Sequence, residues 1–173
     1  MEKLPKELPR EIRKNKFEIP EKWEDSSRIF HPETFYKLFQ EVLRGYGVDL
    51  TKNVKVLEIG SGNAIFLDYL KYRGVNAVGV DARPRGSKKL SQVIARIEQL
   101  PFAEESFDVV LSTAVFDKHV YAQYQDFMIR EIARVLKHGG IYLGHNEFHR
   151  DVPPIIDGFN LIPNNLVTVY KKS

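Results

Sequence analysis

The sequence contains no cysteine. That excludes a disulfide framework and any thiolate metal site, and it fits a reducing compartment such as the cytoplasm. No apolar run approaches ~18 residues, so no membrane-spanning helix and no membrane partner are expected. The N-terminal stretch MEKLPKELPREIRKNKF lacks an apolar centre and does not read as a secretory signal. Nor does one charge dominate: 26 Lys and Arg against 23 Asp and Glu leave a net charge of +3. Basic and acidic residues are interleaved through most of the chain, as on a solvated surface. Nucleic-acid binding is permitted by that balance, not indicated by it. There is no internal repeat and no low-complexity tract.

What is present suits a single folded domain. The 173 residues are 43% hydrophobic and 12% aromatic, enough for a substantial core. Residues 1–30 differ from the rest: Pro5, Pro9 and Pro20 interrupt them and no period lasts. They read as an N-terminal arm or lid, with Phe17, Ile19, Trp23 and Phe30 available to pin it to a domain over 31–173. HPETFYKLFQEVLRGYG predicts a helix. Pro32 suits its first turn, Phe35, Leu38, Phe39, Val42 and Leu43 fall on one face, and Gly45 and Gly47 end it.

Strand and helix patterns then alternate. KVLEIG reads as a short buried strand and 64–72 as a helix. NAVGVD is a second strand, 87–90 a short basic helix, QVIARI a third strand and 107–115 a fourth. Residues 121–137 make an amphipathic helix stopped by HGG, IYLGHNEF a fifth strand, and GFNLIPNNLVTVYKK an antiparallel hairpin. Such alternation predicts an α/β fold: a Rossmann-like, mostly parallel, twisted sheet of about seven strands, helices on both faces, closed by a C-terminal antiparallel hairpin.

The stretch VLEIGSGNAIFLDYL, residues 56–70, runs apolar, acidic, glycine-rich, then apolar at helical spacing. In an open α/β sheet, ligands bind beyond the carboxyl ends of the strands at the switch point, which the first strand borders. Glycines there permit a tight turn and close approach of a ligand. A dinucleotide fingerprint would need Gly or Ala at position 65, where Ile65 stands; the small residue is Ala64. Asp81 ends the second strand and could accept two ribose hydroxyls. Glycine turn and acid lie in register on successive strand ends, which favours a nucleoside-bearing ligand over a purely structural turn.

With VGVDARP, IEQLPFAEESFDVVLSTAVF and REIARVLKHGGIYLG, the stretch resembles the ordered motifs of class I S-adenosylmethionine-dependent methyltransferases, closest in flavour to the type 11 family. The resemblance covers roughly residues 34–173. It implies methyl transfer from S-adenosyl-L-methionine, with S-adenosyl-L-homocysteine as product. It also implies that Glu58, Gly60, Ser61 and Gly62 line the methionine and ribose portions, with Glu58 toward the methionine ammonium. Asp81 would hold the ribose hydroxyls, Ala82 and Arg83 would sit at the adenine edge, and residues 113–116, from Thr113, would pass under the transferable methyl.

Two departures from the family pattern stand out. Ala64 replaces a third glycine, which costs little provided φ is negative there. Arg96 stands where relatives carry an Asp that binds the adenine amino group, and Arg cannot accept a hydrogen bond. Either backbone groups near Ile97 read the adenine, or the Glu98 carboxylate swings in to do so, or affinity is reduced. A cofactor-binding, non-catalytic subunit of a larger complex is the alternative function; a dehydrogenase module is opposed by Ile65 and by the terminal hairpin.

Methyl transfer from a sulfonium is a one-step displacement in which alignment supplies much of the catalysis. Acceptor-side candidates follow the fourth and fifth strands: Asp117, Lys118, His119, Tyr121, Tyr124, His145, Asn146, Glu147 and His149, with His119 chosen as the base. His145, Glu147 and His149 alternate on one strand face, but the set does not make a metal site, and no metal is expected. Arg83, Arg85, Lys88, Lys89 and Arg96 form a basic cluster that suits either a solvated face or an anionic acceptor. The DPPY-type tetrapeptide of base N-methyltransferases is absent. The acceptor, whether small molecule, protein or RNA, is not named by the sequence. A shallow site covered only by the arm would suit a macromolecular acceptor, a partner subunit or a homo-oligomer.

Overall fold

The computed structural model describes residues 32–85, 92–113, 115, 125–145, 158–162 and 167–173. The arm expected over 1–30, the basic helix over 87–90 with Lys88 and Lys89, and the acceptor-side candidates Asp117, Lys118, His119, Tyr121, Tyr124, Asn146, Glu147 and His149 lie outside the described residues.

Helix α1 (Pro32–Arg44) begins at its proline, as expected. Its buried face is rotated from the apolar stripe: Tyr36 and Gln40 are buried with Phe39, Val42 and Leu43, whereas Phe35 and Leu38 are half-exposed. Tertiary partners explain the rotation. Tyr36 packs edge-on against Tyr69 at 5.6 Å, beneath the Arg73 guanidinium at 4.7 Å. Gln40 accepts from Leu50 N–H at 3.0 Å and donates to Asp49 Oδ1 at 2.9 Å. Gly47, at φ +76°, ends the helix while Val48 N–H reaches back to Leu43 O.

Strands β1 (Lys55–Ile59), β2 (Asn76–Asp81), β3 (Gln92–Ile94), β4 (Phe107–Thr113), β5 (Leu136–His145), β6 (Phe159–Ile162) and β7 (Thr168–Lys172) form one seven-stranded sheet, ordered β3-β2-β1-β4-β5-β7-β6. The first five are parallel, and β7 runs antiparallel to both β5 and β6. Helices α2 (Ile65–Tyr72) and α3 (Gln125–Val135) lie between strands in the chain. From β1 the chain adds β2 and β3 on one side, then crosses to add β4 and β5 on the other, so the switch point falls between β1 and β4.

Consecutive residues Val56 and Leu57 of β1 and Val109, Val110 and Leu111 of β4 are fully buried, so both faces of the sheet centre are covered. Each such side chain contributes about 1.5–3 kcal/mol of burial free energy. Among the described residues no helix is long and apolar enough to cross a membrane.

Several element boundaries differ from the sequence expectation, among them the start of β5 at Leu136 rather than Ile141. β3 stops at Ile94, because the chain turns into a short 3-10 helix over Ile97–Gln99. α3 stops at Val135, because Leu136 already pairs with Phe107. The register then jumps to Val109↔Ile141, and Gly139 at φ +72° serves the excursion. β4 ends at Thr113, short of the expected Val115.

The stretch after the 3-10 helix is clamped by α3. Glu131 Oε2 accepts from Leu100 N–H at 2.8 Å. Arg134 donates to Leu100 O at 3.0 Å and Phe102 O at 2.9 Å, and pairs with Glu131 at 2.8 Å. Arg134→Met removes the donors from two carbonyls and a carboxylate, and should cost about 1–3 kcal/mol in urea denaturation with an unchanged m-value. A loss below about 0.5 kcal/mol, the level of an ordinary surface change, would show the clamp to be dispensable.

Candidate functional site

The tips of β1 and β2 meet beside the switch point. Gly60 and Ser61 N–H both point to Val80 O, at 2.8 and 3.1 Å, so the chain leaves β1 still attached to β2. Gly60 and Gly62 sit at φ +68° and +47°, conformations that favour glycine. A Cβ on Gly60 would lie 2.5 Å from Val115 Cγ2, which closes that side of the turn. Gly62 N–H donates to Asp81 Oδ2 at 2.9 Å, and Arg83 N–H donates to Asp81 Oδ1 at 2.6 Å. The Asp81 carboxylate is thus held by two backbone donors, with lone pairs left for a ligand.

The third turn position overturns an expectation. Ala64 lies at φ +64°, in the left-handed region, not at negative φ. Its N–H is tied to Ser61 O at 2.6 Å, and it is fully buried as the residue before α2. An L-residue there carries strain of roughly 1–2 kcal/mol.

Glu58, two residues before Gly60 on β1, is buried and accepts from Leu67 N–H. Its Oε2 has no hydrogen-bond partner among the described residues. Burial, and then the nearby Asp81 charge, push its carboxyl up to about 8. Among the described residues this group has no cationic partner.

The remaining predicted site residues fall on neighbouring strand tips. Ala82 and Arg83 follow β2 and are exposed. Ala95 N–H donates to Asp81 O at 3.2 Å, which brings the segment after β3 beside the β2 tip. There Ile97 is half-buried, and Glu98 is buried with Oε1 3.5 Å from Arg96 Nη2. Thr113 ends β4, paired in register with His145 of β5. His145 packs edge-on against Phe35 at 4.7 Å, and burial pushes its imidazole pKa down. Thr113, the glycine turn, Asp81 and Glu98 therefore lie on four adjacent tips, in the order β4, β1, β2 and just past β3. The proposed base His119 lies outside the described residues.

One contributor was missed from sequence: Gln92 donates from Nε2 to Ser61 Oγ at 3.0 Å and to Gly62 O at 3.1 Å. The available signal was a polar residue opening an otherwise apolar strand.

The methyltransferase-domain family model matches residues 57–144, from within β1 to the penultimate residue of β5. The chain belongs to that family. This methyltransferase domain is 31% identical over 121 residues to an uncharacterized protein of Methanocaldococcus jannaschii, covering 69% of this chain and 53% of that one. It is 36% identical over 95 residues to an uncharacterized methyltransferase of Synechocystis sp., covering 51% of this chain and 44% of the relative. The chain thus spans about half the length of these curated relatives. Among solved structures, a Pyrococcus horikoshii OT3 protein superposes with a TM-score of 0.55 at 18% identity, covering 69% of this chain and 82% of that one. A Methanosarcina mazei S-adenosylmethionine-dependent methyltransferase gives 0.51 at 20% identity, covering 60% and 55%. At these identities the structural likeness establishes the fold.

Two outcomes follow from the geometry. In the fold Glu58 holds its proton up to about pH 8, against an ordinary value of 4.5. The folded state therefore binds the extra proton between those values. Stability should be full below about pH 4.5 and fall by up to ~1.4 kcal/mol per unit as pH rises toward 8. Glu58→Gln should flatten that slope in urea titrations from pH 5 to 9; an unchanged slope would acquit Glu58. Ala64→Gly trades relief of about 1–2 kcal/mol of left-handed strain against about 0.8 kcal/mol of lost methyl burial, so thermal unfolding should show a gain of up to about 1 kcal/mol.

Proposed function

We propose that this domain transfers a methyl group from S-adenosylmethionine to an acceptor, with the cofactor held across the tips of β1 and β2. The observation that carries the reading is the join between those tips: a positive-φ glycine turn donating to a carboxylate that two backbone N–H groups already orient. The orphaned Glu58 oxygen supports it independently, because a buried carboxyl without a cation fits the ammonium of a methionine moiety.

In this reading Gly60, Ser61 and Gly62 approach the methionine and ribose, and Glu58 receives the ammonium, which favours its ionised form. Asp81 accepts the ribose hydroxyls through lone pairs that the Gly62 and Arg83 N–H groups leave unused. Ala82, Arg83 and Ile97 border the adenine. Arg96 does not replace the family's usual acceptor, but it stands 3.5 Å from the Glu98 carboxylate, which is already turned inward; that supports Glu98 as the adenine reader. Thr113 lies under the transferable methyl. S-adenosylmethionine supplies an electrophilic methyl on a sulfonium that leaves as the neutral thioether of S-adenosylhomocysteine. The chain's own part is to bind, to align, and to keep the reacting groups out of bulk water. His119 is the base to test, on its place in the sequence after the fourth strand.

Calorimetry with S-adenosylmethionine, S-adenosylhomocysteine and NAD tests the site, with binding expected for the first two only. Asp81→Ala should weaken S-adenosylhomocysteine by about 1–3 kcal/mol; unchanged affinity removes Asp81 from the site. Labelled methyl transferred to a cell extract, resolved into protein, RNA and small-molecule fractions, identifies the acceptor class. Binding with no transfer to any fraction would assign the non-catalytic role instead.

A further inference from the structure

We propose that Gln92 is a positioning residue: its side-chain amide fixes the glycine turn in the shape that receives the methionine and ribose portions of the cofactor. The inference rests on the reading of that turn as the cofactor site, and it assigns a function to the edge of the sheet remote from β4.

Gln92 opens β3 and pairs in register with Gly79 of β2. Gly79 cannot carry a side chain without displacing its neighbours. A Cβ there would lie 2.7 Å from Ser61 Oγ and 2.8 Å from both Ser61 Cβ and Leu67 Cδ2. Ser61, only 4% exposed, occupies the notch that Gly79 leaves open. Gly79 is the floor of this socket and Gln92 is its wall.

The orientation of the amide follows from chemistry. Gly62 O can only accept, so the group facing it at 3.1 Å is the NH2, whose second hydrogen serves Ser61 Oγ at 3.0 Å. Gly62 O also accepts from Arg85 N–H at 2.7 Å. Both backbone polar groups of Gly62 are therefore committed, the N–H to Asp81 and the carbonyl to Gln92 and Arg85.

A turn with Gly62 at φ +47° and Ala64 at φ +64° has little intrinsic preference for its shape, and external ties supply it. Without the amide, Ser61 and Gly62 keep their bonds to Val80 and Asp81 but lose the restraint from the β3 side. The turn would then sample shapes that a ligand must first reorder, which weakens binding.

The decisive variant is Gln92→Glu, which keeps the volume but places an oxygen against Gly62 O; Gln92→Leu removes polarity altogether. In both, amide exchange of Gly62 measured by NMR should accelerate about tenfold, and affinity for S-adenosylhomocysteine should fall about tenfold. Affinity for adenosine, which keeps the ribose but lacks the methionine portion, should fall less, by about threefold, and the thermal midpoint should stay within roughly 3 °C. Exchange and affinity both unchanged would overturn the proposal. So would an equal loss for both ligands, which marks general damage to the sheet edge. If the wild-type protein bound no S-adenosylhomocysteine, the site reading itself would fall and the positioning role with it. The exchange rates would still report whether the amide holds the turn.

Discussion

The site depends on one hydrogen bond between strand tips, Gly62 N–H to the Asp81 carboxylate at 2.9 Å. Parallel pairing brings Ile59 opposite Val80, and the Gly60 and Ser61 N–H groups keep the chain on Val80 O. The Gly62 bond carries the attachment one residue further, onto the Asp81 side chain. It turns two strand ends into one surface, with glycine backbone on one side and an acid on the other. It also explains why the turn tolerates Ala64 in a left-handed conformation, since the ends of the turn are fixed by partners outside it.

The same region concentrates energetic cost. Glu58 is buried beside another acid with one oxygen unpartnered, and it keeps its proton well above the usual carboxylate range. Such an arrangement lowers stability at neutral pH and persists only because the surrounding sheet is strongly packed. A cationic ligand would reverse the sign of that cost, so stability and binding are drawn from the same carboxyl. The structural ties that carry no such cost lie farther out. Asp108 binds Lys137 and the Lys55 N–H at the opposite strand ends, and Arg134 and Glu131 hold the segment after the 3-10 helix.

The candidate site residues are spread along the chain but adjacent in space because of strand order. Thr113, the glycine turn, Asp81 and the segment after β3 come from four tips whose order in the sheet, β4-β1-β2-β3, is not their order in the sequence. Helix α1 reaches across the same sheet edge, where Phe35 covers His145 and leaves a desolvated imidazole beside Thr113.

The sequence by itself determined the alternation of strands and helices, the parallel sheet, the terminal hairpin, and the pairing of a glycine turn with Asp81. These are local: apolar runs, turn residues and register within one βαβ unit specify them with little help from distant contacts. Tertiary structure alone decided the rest. Tyr36 and Gln40 are buried because Tyr69 and Leu50 arrive beside them. β3 is cut to three residues because the segment beyond it is taken by α3. The grip of Gln92 on Ser61 and Gly62 spans about 30 residues of chain. A side-chain hydrogen bond leaves no period in the sequence; only the packing of strands from separate parts of the chain brings its donor and acceptor together.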